Sequence, residues 1–229
     1  MAANKNLQYT LRYFDRIGVA EGSKLLLSAA NVEWTEEHPE WPLEKPNQPF
    51  GRMPVLIEKH SNDKDFVICE SGNIERYLAR AYGFIPSDIR QAALQEQLRD
   101  QASDMFAAFI SQLVAKSEDD RRENFAKFDG LLDKLVEVQT KQINANGNIG
   151  HMFGDRLSYA DIVTYAFYKI IVVGMVKRQA NIVNIVKPKL TPQLIKLITT
   201  VEANPLLASY TARGDSLAAI VTKPTPARL

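Results

Sequence analysis

The sequence contains one cysteine, Cys69, among its 229 residues. A single cysteine excludes an intramolecular disulfide and any multi-cysteine metal cluster, and it fits a reducing compartment. The three histidines lie far apart, without a carboxylate or cysteine at the spacings typical of metal ligation; they are His38, His60 and His151. We therefore expect no bound metal.

The sequence also has no excess of charge of one sign and no long apolar run. The formal net charge is +1, so no overall field favours nucleic acid or an anionic membrane. No apolar run approaches the roughly 20 residues of a membrane-spanning helix. The start of the chain is polar and does not fit a secretory signal. We expect a cytoplasmic protein that neither binds nucleic acid nor inserts into a membrane.

Hydrophobic patterning in the first part of the chain predicts a βαβ–ββα layout. The strand candidates alternate or run apolar, and the helix candidates repeat apolar residues at helical spacing. The predicted elements are strands at residues 7–14, 32–35, 55–57 and 66–69, helices at 20–30 and from Ser71, and a hairpin turn at Ser61-Asn62-Asp63. This order is thioredoxin-like and ends near Tyr82.

The rest of the chain is predicted to be helical. Gly83 to Ser87 interrupts the pattern, because glycine suits a helix end and proline cannot continue a helix. The later helices are predicted at 91–115, 117–142 and 158–176, with shorter ones between 191 and 213. The expected fold is α/β plus all-α: a thioredoxin-like domain at residues 1–83 and a helical bundle domain at 88–229.

Two motifs between residues 49 and 80 point to a ligand. Pro49-Phe50-Gly51-Arg52-Met53-Pro54 precedes a strand. Pro54 lacks an N–H and biases Met53 to extended geometry, which leaves the Met53 backbone free to pair with a peptide-like ligand. Ser71 then stands where a strand runs into a helix, whose first amides and positive dipole attract an anion. Together they predict a receptor for a small acidic peptide.

These motifs resemble the glutathione-binding half of the cytosolic glutathione transferases. The segments Tyr9–Phe14 and Gly18–Glu21 are similar to the opening strand and helix of the tyrosine-type classes, closest to the sigma class with its prostaglandin D synthase-like members. Trp41 and Lys45 fall at the family's spacing. Residues 154–161, Gly-Asp-Arg-Leu-Ser-Tyr-Ala-Asp, resemble its buried capping motif, which we assign to folding alone.

The resemblance implies that Tyr13 is the catalytic residue. Its hydroxyl would donate a hydrogen bond to the glutathione thiolate. Lowering the thiol pKa by two units from about 8.5 takes about 2.7 kcal/mol, and a hydrogen bond to the charged form contributes to it. The alternative is a half-buried strand tyrosine without chemistry. Tyr9, on the same strand face, is the rival, and we expect it to be structural.

The resemblance also assigns residues that would bind the γ-glutamyl and cysteinyl groups of glutathione. Ser71 would bind the γ-glutamyl carboxylate; the alternative is an ordinary helix N-cap, and the two roles are compatible. Glu70 would face the ammonium group, although the tyrosine-type classes usually carry glutamine there. The Met53 backbone would pair with the cysteine, with a cis Met53–Pro54 bond.

Arg52, next to Met53, would contribute its backbone or charge. At the glycyl end, Trp41 and Lys45 would approach from the loop, Lys45 near the carboxylate. Their alternatives are a loop tryptophan packed on prolines and a solvated lysine. Sigma-like enzymes often carry an arginine six residues after the tyrosine; Val19 stands there, and Arg16 is out of register. This argues against an arginine-assisted mechanism.

The remaining expected site residues lie on the first long helix and beside Tyr13. Asp100 or Asp104 would reach the partner subunit's glutathione, and Asp104 fits the spacing better; both are alternatively solvated carboxylates. For the electrophile, the candidates are Phe14, Phe106 and Ile110, together with Phe109. A phenylalanine stripe at helical spacing is alternatively core or dimer interface.

The expected function is a glutathione transferase that attacks small hydrophobic electrophiles, with glutathione as co-substrate and no metal. We expect a homodimer, because the family's site takes residues from both subunits. Prostaglandin isomerase and glutathione peroxidase side activities fit the same chemistry. The alternative is a non-catalytic protein of this fold, either ligand-binding or structural.

Overall fold

A mixed four-stranded sheet with two helices begins the fold in the computed structural model, which describes residues 7–60 and 64–223. The strands are β1 (Gln8–Arg12), β2 (Glu33–Glu37), β3 (Val55–Lys59) and β4 (Phe66–Cys69), and the helices are α1 (Glu21–Ala29) and α2 (Ser71–Ala81). The expected thioredoxin-like βαβ–ββα order is confirmed. The predicted turn at Ser61-Asn62-Asp63 lies outside the described residues.

The sheet order is β2-β1-β3-β4, which places β1 in the interior. It pairs parallel with β2 and antiparallel with β3, and β3 pairs antiparallel with β4. Tyr9 and Leu11 are buried in the main core, as the alternation of the strand predicts. Tyr13 follows β1 and continues this buried row into the site described below.

The chain after Tyr82 forms helices, as predicted. They are α3 (Ile89–Leu113), α4 (Glu118–Ala145), α5 (Tyr159–Lys169), α6 (Ile182–Val186), α7 (Pro192–Glu202), α8 (Ala208–Thr211) and α9 (Leu217–Thr222). The predicted helix at 158–176 is correct to Lys169, after which Ile170–Gly174 widens into a π-helical turn. Within the described residues, no helix has both the length and the apolar composition needed to span a bilayer.

A buried carboxylate fixes the start of α5. Asp161 accepts hydrogen bonds from the Met152 amide (2.8 Å), the Ser158 amide (3.0 Å) and His151 Nδ1 (2.9 Å). Ser158 in turn accepts from the Asp161 amide, so the predicted capping box is present. The hydrogen bond to Asp161 raises the pKa of His151. This network ties the loop before α5 to the most buried helix of the fold.

Candidate active site

Tyr13 lies at the end of β1 with its backbone held on both sides. Its amide donates to the Glu37 carbonyl (3.0 Å), and His38 Nδ1 donates to the Tyr13 carbonyl (3.0 Å). The side chain is 5% exposed, and its hydroxyl oxygen accepts from the Val19 amide (3.1 Å). No acceptor for the hydroxyl hydrogen occurs in residues 7–60 or 64–223, so that hydrogen is available to a ligand.

The surroundings keep the Tyr13 phenol neutral while polarising it. Burial raises the pKa of Tyr13, whereas the Val19 amide and the positive charge of Arg16 act to lower it. A neutral phenol is the form that donates a hydrogen bond. Val19 thus contributes an amide in place of an arginine side chain. Against the sequence-based expectation, Arg16 still acts on the phenol, with its guanidinium 4.4 Å from the Phe14 ring centroid.

Tyr9 lies away from this hydroxyl and belongs to the core. It is 2% exposed, and it shares a 2.7 Å hydrogen bond with the Tyr82 hydroxyl. Its ring meets the Tyr82 ring edge-on, with the centroids 6.3 Å apart. The geometry therefore favours a structural role for Tyr9.

The loop between β2 and β3 comes to Tyr13 through aromatic contacts. The Phe14 ring meets the Tyr13 ring at 5.3 Å and the Trp41 ring at 5.5 Å, both edge-on. The exposed Lys45 begins a short 3₁₀ turn. Its aliphatic side chain lies against Gly51, which has a positive φ of 58°. The structure thus brings Phe14 and Trp41 together with Tyr13.

Met53 and Pro54 join this loop to β3. The Met53–Pro54 peptide bond is cis, as the resemblance implied. Met53 is half-buried against the core, Pro54 is buried, and the neighbouring Arg52 is exposed.

Glu70 and Ser71 form the turn into α2, and the N-cap is Glu70 and not Ser71. Glu70 occupies the N-cap position at φ 69°, and Ser71 is the first helical residue, so the N-cap interpretation of Ser71 is wrong. A non-glycine residue at positive φ costs on the order of 1–3 kcal/mol and is found disproportionately at functional sites. The amides of Asn73 and Ile74 donate to the Glu70 carbonyl. Those of Ser71 and Gly72 have no acceptor in the described part of the chain.

An arginine that the sequence reasoning missed contacts Ser71. Arg99, on α3, donates from Nε to Glu75 Oε2 (2.7 Å), from Nη2 to Ser71 Oγ (2.8 Å), and from Nη1 to the Ser103 hydroxyl. Burial raises the pKa of Glu75, and the adjacent Arg99 opposes that shift. A charged residue at position 75, between the apolar Ile74 and Leu78 of α2, was the signal for this pair.

A small cleft, partly open to solvent, runs beside this pair. One end is polar and is lined by Ser71, Glu75, Arg99 and Ser103; the other is apolar and includes Val19, Phe106, Val163, Ala166, Phe167 and Ile170. Phe106 therefore lines the cleft, as predicted. Phe14 stands instead on the Tyr13–Trp41 side, and Ile110 is half-buried against the core.

Phe109 is not part of this wall. It is 0% exposed and packs against Phe128 with the ring centroids 5.1 Å apart. The expectation that it contacts an electrophile is wrong, because the helical stripe turns it into the bundle core.

The two candidate carboxylates on α3 differ in their partners. Asp100 accepts from Arg76 of the same chain. Asp104 is exposed and pairs with no group in the described ranges. Asp104 is thus the one that remains available to another molecule.

Comparison with known proteins gives one family. The family model described as "Glutathione S-transferase, N-terminal domain" matches residues 9–80, and "Glutathione S-transferase, C-terminal domain" matches residues 103–214. Glutathione S-transferase 2 of Manduca sexta is 32% identical over 206 residues, covering 86% of this chain and 92% of that protein. S-crystallin SL11 of Nototodarus sloanii is 27% identical over 214 residues, covering 92% and 98%.

Among solved structures, the Fasciola hepatica sigma class GST superposes with a TM-score of 0.70. The match covers 93% of this chain and 99% of that one at 21% identity, so it concerns the fold alone.

Proposed function

Because this chain belongs to the glutathione S-transferase family, we propose that it binds glutathione and uses the Tyr13 hydroxyl to stabilise the thiolate for attack on small hydrophobic electrophiles. The observation that carries the proposal is the buried, neutral phenol whose oxygen accepts from the Val19 amide and whose hydrogen is uncommitted. A donor fixed in this way stabilises the charged sulfur without reorganising.

In this proposal the tripeptide lies between the cis turn and α2. The Met53 backbone pairs with its cysteine, and Ser71 with the first amides of α2 binds the γ-glutamyl carboxylate. Glu70 faces the ammonium group. Trp41 and Lys45 contact the glycyl end, and Arg52 contributes its backbone or charge next to Met53. Exposure of Lys45, Arg52 and Glu70 supports contact with a ligand, since none of the three is committed to the core.

The reaction then follows from the placement of the sulfur. The thiol releases its proton to solvent, and the thiolate remains hydrogen-bonded to Tyr13. Its electron pair forms a carbon–sulfur bond with the electrophile, while the leaving group departs with the electrons of its own bond. We propose that Phe106 contacts the electrophile from the cleft wall and Phe14 from beside Tyr13, because apolar side chains desolvate the attacking sulfur; Ile110, packed against the core, supports this wall. Peroxidase or prostaglandin isomerase activity would use the same thiolate.

Position 18 offers a test of the Tyr13 geometry. A Cβ on Gly18 would lie 2.4 Å from the Tyr13 hydroxyl oxygen, so Gly18→Ala must displace the phenol. We expect conjugation of glutathione to a chloronitrobenzene to fall about 10-fold, since small misplacements of a positioned group reduce the rate strongly. Gly130→Ala is the matched control, because a Cβ at Gly130 has no neighbour within 4 Å. Equal activity of the two variants would contradict the placement.

We also propose a homodimer in which the partner subunit's Asp104 completes the γ-glutamyl site. Light scattering at micromolar concentration is expected to give the dimer mass. Asp104→Asn is expected to raise the glutathione KM about 5-fold with little change in kcat, as loss of one exposed charged contact implies. Asp100→Asn is the control, since Asp100 already pairs with Arg76. A monomer, or an unchanged KM for Asp104→Asn, would contradict the proposal.

The similarity to S-crystallin SL11 over 92% of the chain favours a second candidate, a non-catalytic ligand-binding or structural protein. Calorimetry with glutathione, combined with a conjugation assay, separates the two. Binding in the micromolar to millimolar range with measurable conjugation supports the transferase, and absence of conjugation, with or without glutathione binding, supports the non-catalytic protein.

A further inference from the structure

Arg99 lies at the polar end of the cleft and has hydrogen-bond donors that no protein group uses in the described residues. Its side chain is 14% exposed and comes from α3, yet it contacts the start of α2. A guanidinium carries five N–H donors. Three of them are used by Glu75, Ser71 and Ser103. One N–H on each terminal nitrogen therefore remains.

The open side of Arg99 is the cleft, whose lining includes one acidic residue, Glu75, and the carboxylate of Glu75 is already paired with Arg99. The Ser71 oxygen accepts from Arg99, so the Ser71 hydroxyl hydrogen is free for a ligand, and the amides of Ser71 and Gly72 lie beside it. Glu75 is 5% exposed, and its carboxylate pairs with Nε of Arg99, which leaves the terminal nitrogens for other partners. The nearby Arg76 and Asp100 are paired with each other. The open side is complementary to a carboxylate, which accepts from several donors at once.

Two glycines make room for this arrangement. A Cβ on Gly22 would lie 2.5 Å from Glu75 Oε1, and one on Gly72 would lie 3.0 Å from Arg99 Cζ. Neither glycine has a positive φ, so backbone conformation does not require them. They instead allow the ion pair to lie flat against α1 and the first turn of α2, where its guanidinium lines the cleft.

We propose that Arg99 is a substrate-binding residue whose guanidinium, positioned by Glu75, binds the α-carboxylate of the γ-glutamyl group together with Ser71. This inference rests on the proposed glutathione function and specifies which side chain recognises the charge at that end of the tripeptide. A thiol peptide that lacks the α-carboxylate then loses the interaction with Arg99, and peptides that keep it are selected.

The test couples the protein change to the ligand change. One ligand is glutathione, the second is γ-aminobutyryl-cysteinyl-glycine, which lacks only the α-carboxylate, and the third is γ-glutamyl-cysteinyl-glycinamide, which lacks only the glycyl carboxylate. Calorimetry gives the Kd of each with the full-length protein. For wild type, we expect loss of the α-carboxylate to weaken binding about 100-fold, since several charge-assisted hydrogen bonds are removed.

The variant must not leave a buried charge alone. Arg99→Gln is therefore combined with Glu75→Gln, which removes both charges, and Arg99→Lys is measured beside it. Unfolding curves establish that each variant is folded. In the double variant we expect the penalty for losing the α-carboxylate to shrink to about 5-fold or less, with an intermediate penalty for Arg99→Lys. The penalty for losing the glycyl carboxylate should stay unchanged in every variant.

Arg80→Gln is the matched control, because Arg80 pairs with Glu96 across the same two helices but does not line the cleft. It should keep the wild-type preference. An undiminished α-carboxylate penalty in the folded double variant would overturn the role of Arg99 while leaving glutathione binding intact. Wild-type protein that binds none of the three peptides would instead overturn the proposed function itself.

Discussion

Replacing Tyr13 by phenylalanine is expected to lower kcat/KM for conjugation about 25-fold at pH 7, because raising the thiol pKa from about 6.5 to about 8.5 lowers the thiolate fraction by about that factor. The substitution keeps the ring in contact with Phe14 and removes only the hydroxyl. The Val19 amide loses its acceptor, which costs about 1–3 kcal/mol of stability, so unfolding curves accompany the kinetics.

The pH dependence of the Tyr13→Phe effect follows from the same hydroxyl. Without the donor, the thiol ionises nearer its ordinary pKa of about 8.5. The ratio of wild-type to variant kcat/KM should therefore be largest below pH 7 and should fall as the pH approaches 9. Ionisation of Tyr13 does not reduce this ratio, because burial raises the pKa of Tyr13 above its ordinary value.

Tyr9→Phe is the matched control for Tyr13→Phe. It removes the other hydroxyl of the same buried row, which is bonded to Tyr82. We expect nearly wild-type kinetics with a modest loss of stability. If Tyr9→Phe inactivates the protein and Tyr13→Phe does not, the assignment of the two tyrosines is reversed.

Replacing Asp161 by alanine is expected to have the largest effect on stability. The carboxylate is fully buried and accepts from two amides and from His151. Removing one partner of a buried ion pair costs about 3–5 kcal/mol. For a chain of this length that corresponds to a fall in Tm of about 10 °C. Urea and thermal unfolding at one fixed protein concentration measure it.

The stability difference between wild type and Asp161→Ala should depend on pH. The folded-state pKa of His151 is raised by Asp161, so the charged pair stabilises the fold fully below the ordinary histidine pKa of about 6.5. That contribution is lost as the pH rises through the raised value. The difference should therefore be larger at pH 5.5 than at pH 9. A difference that does not change with pH would contradict the linkage.

Asp88→Ala is the control for Asp161→Ala. Asp88 is an exposed N-cap of α3 that also accepts from two amides, those of Arg90 and Gln91. Losing such a cap typically costs about 1 kcal/mol. Equal losses for the two variants would mean that burial at Asp161 adds nothing.

The local parts of the structure were predictable from the sequence. The strands and α2 follow from short-range apolar periodicity, and the Ser158–Asp161 box from residue types three positions apart. The cis Met53–Pro54 bond was predicted from the family resemblance, because no residue pattern predicts it. Phe109 shows the limit of periodicity, because the same stripe that puts Phe106 in the cleft turns Phe109 into the core.

The long-range part of the candidate site was not predictable in the same way. Glu75 and Arg99 meet across two helices, and their pairing depends on the space left by Gly22 and Gly72. Of these residues, Glu75 alone gives a local signal, as a charge between apolar residues of α2, and that signal does not identify its partner. Glu70 was missed as a cap because residue preference favours serine at that position, whereas the positive φ of Glu70 moves Ser71 into the helix.

Ultraviolet titration of glutathione bound to wild type and to Tyr13→Phe tests most directly whether the phenol stabilises the sulfur anion. With wild type, the bound thiol should ionise about two pKa units below its ordinary value of about 8.5, and with the variant it should return close to that value. Equal thiol pKa values in the two complexes, with glutathione bound in both, would contradict the role of Tyr13.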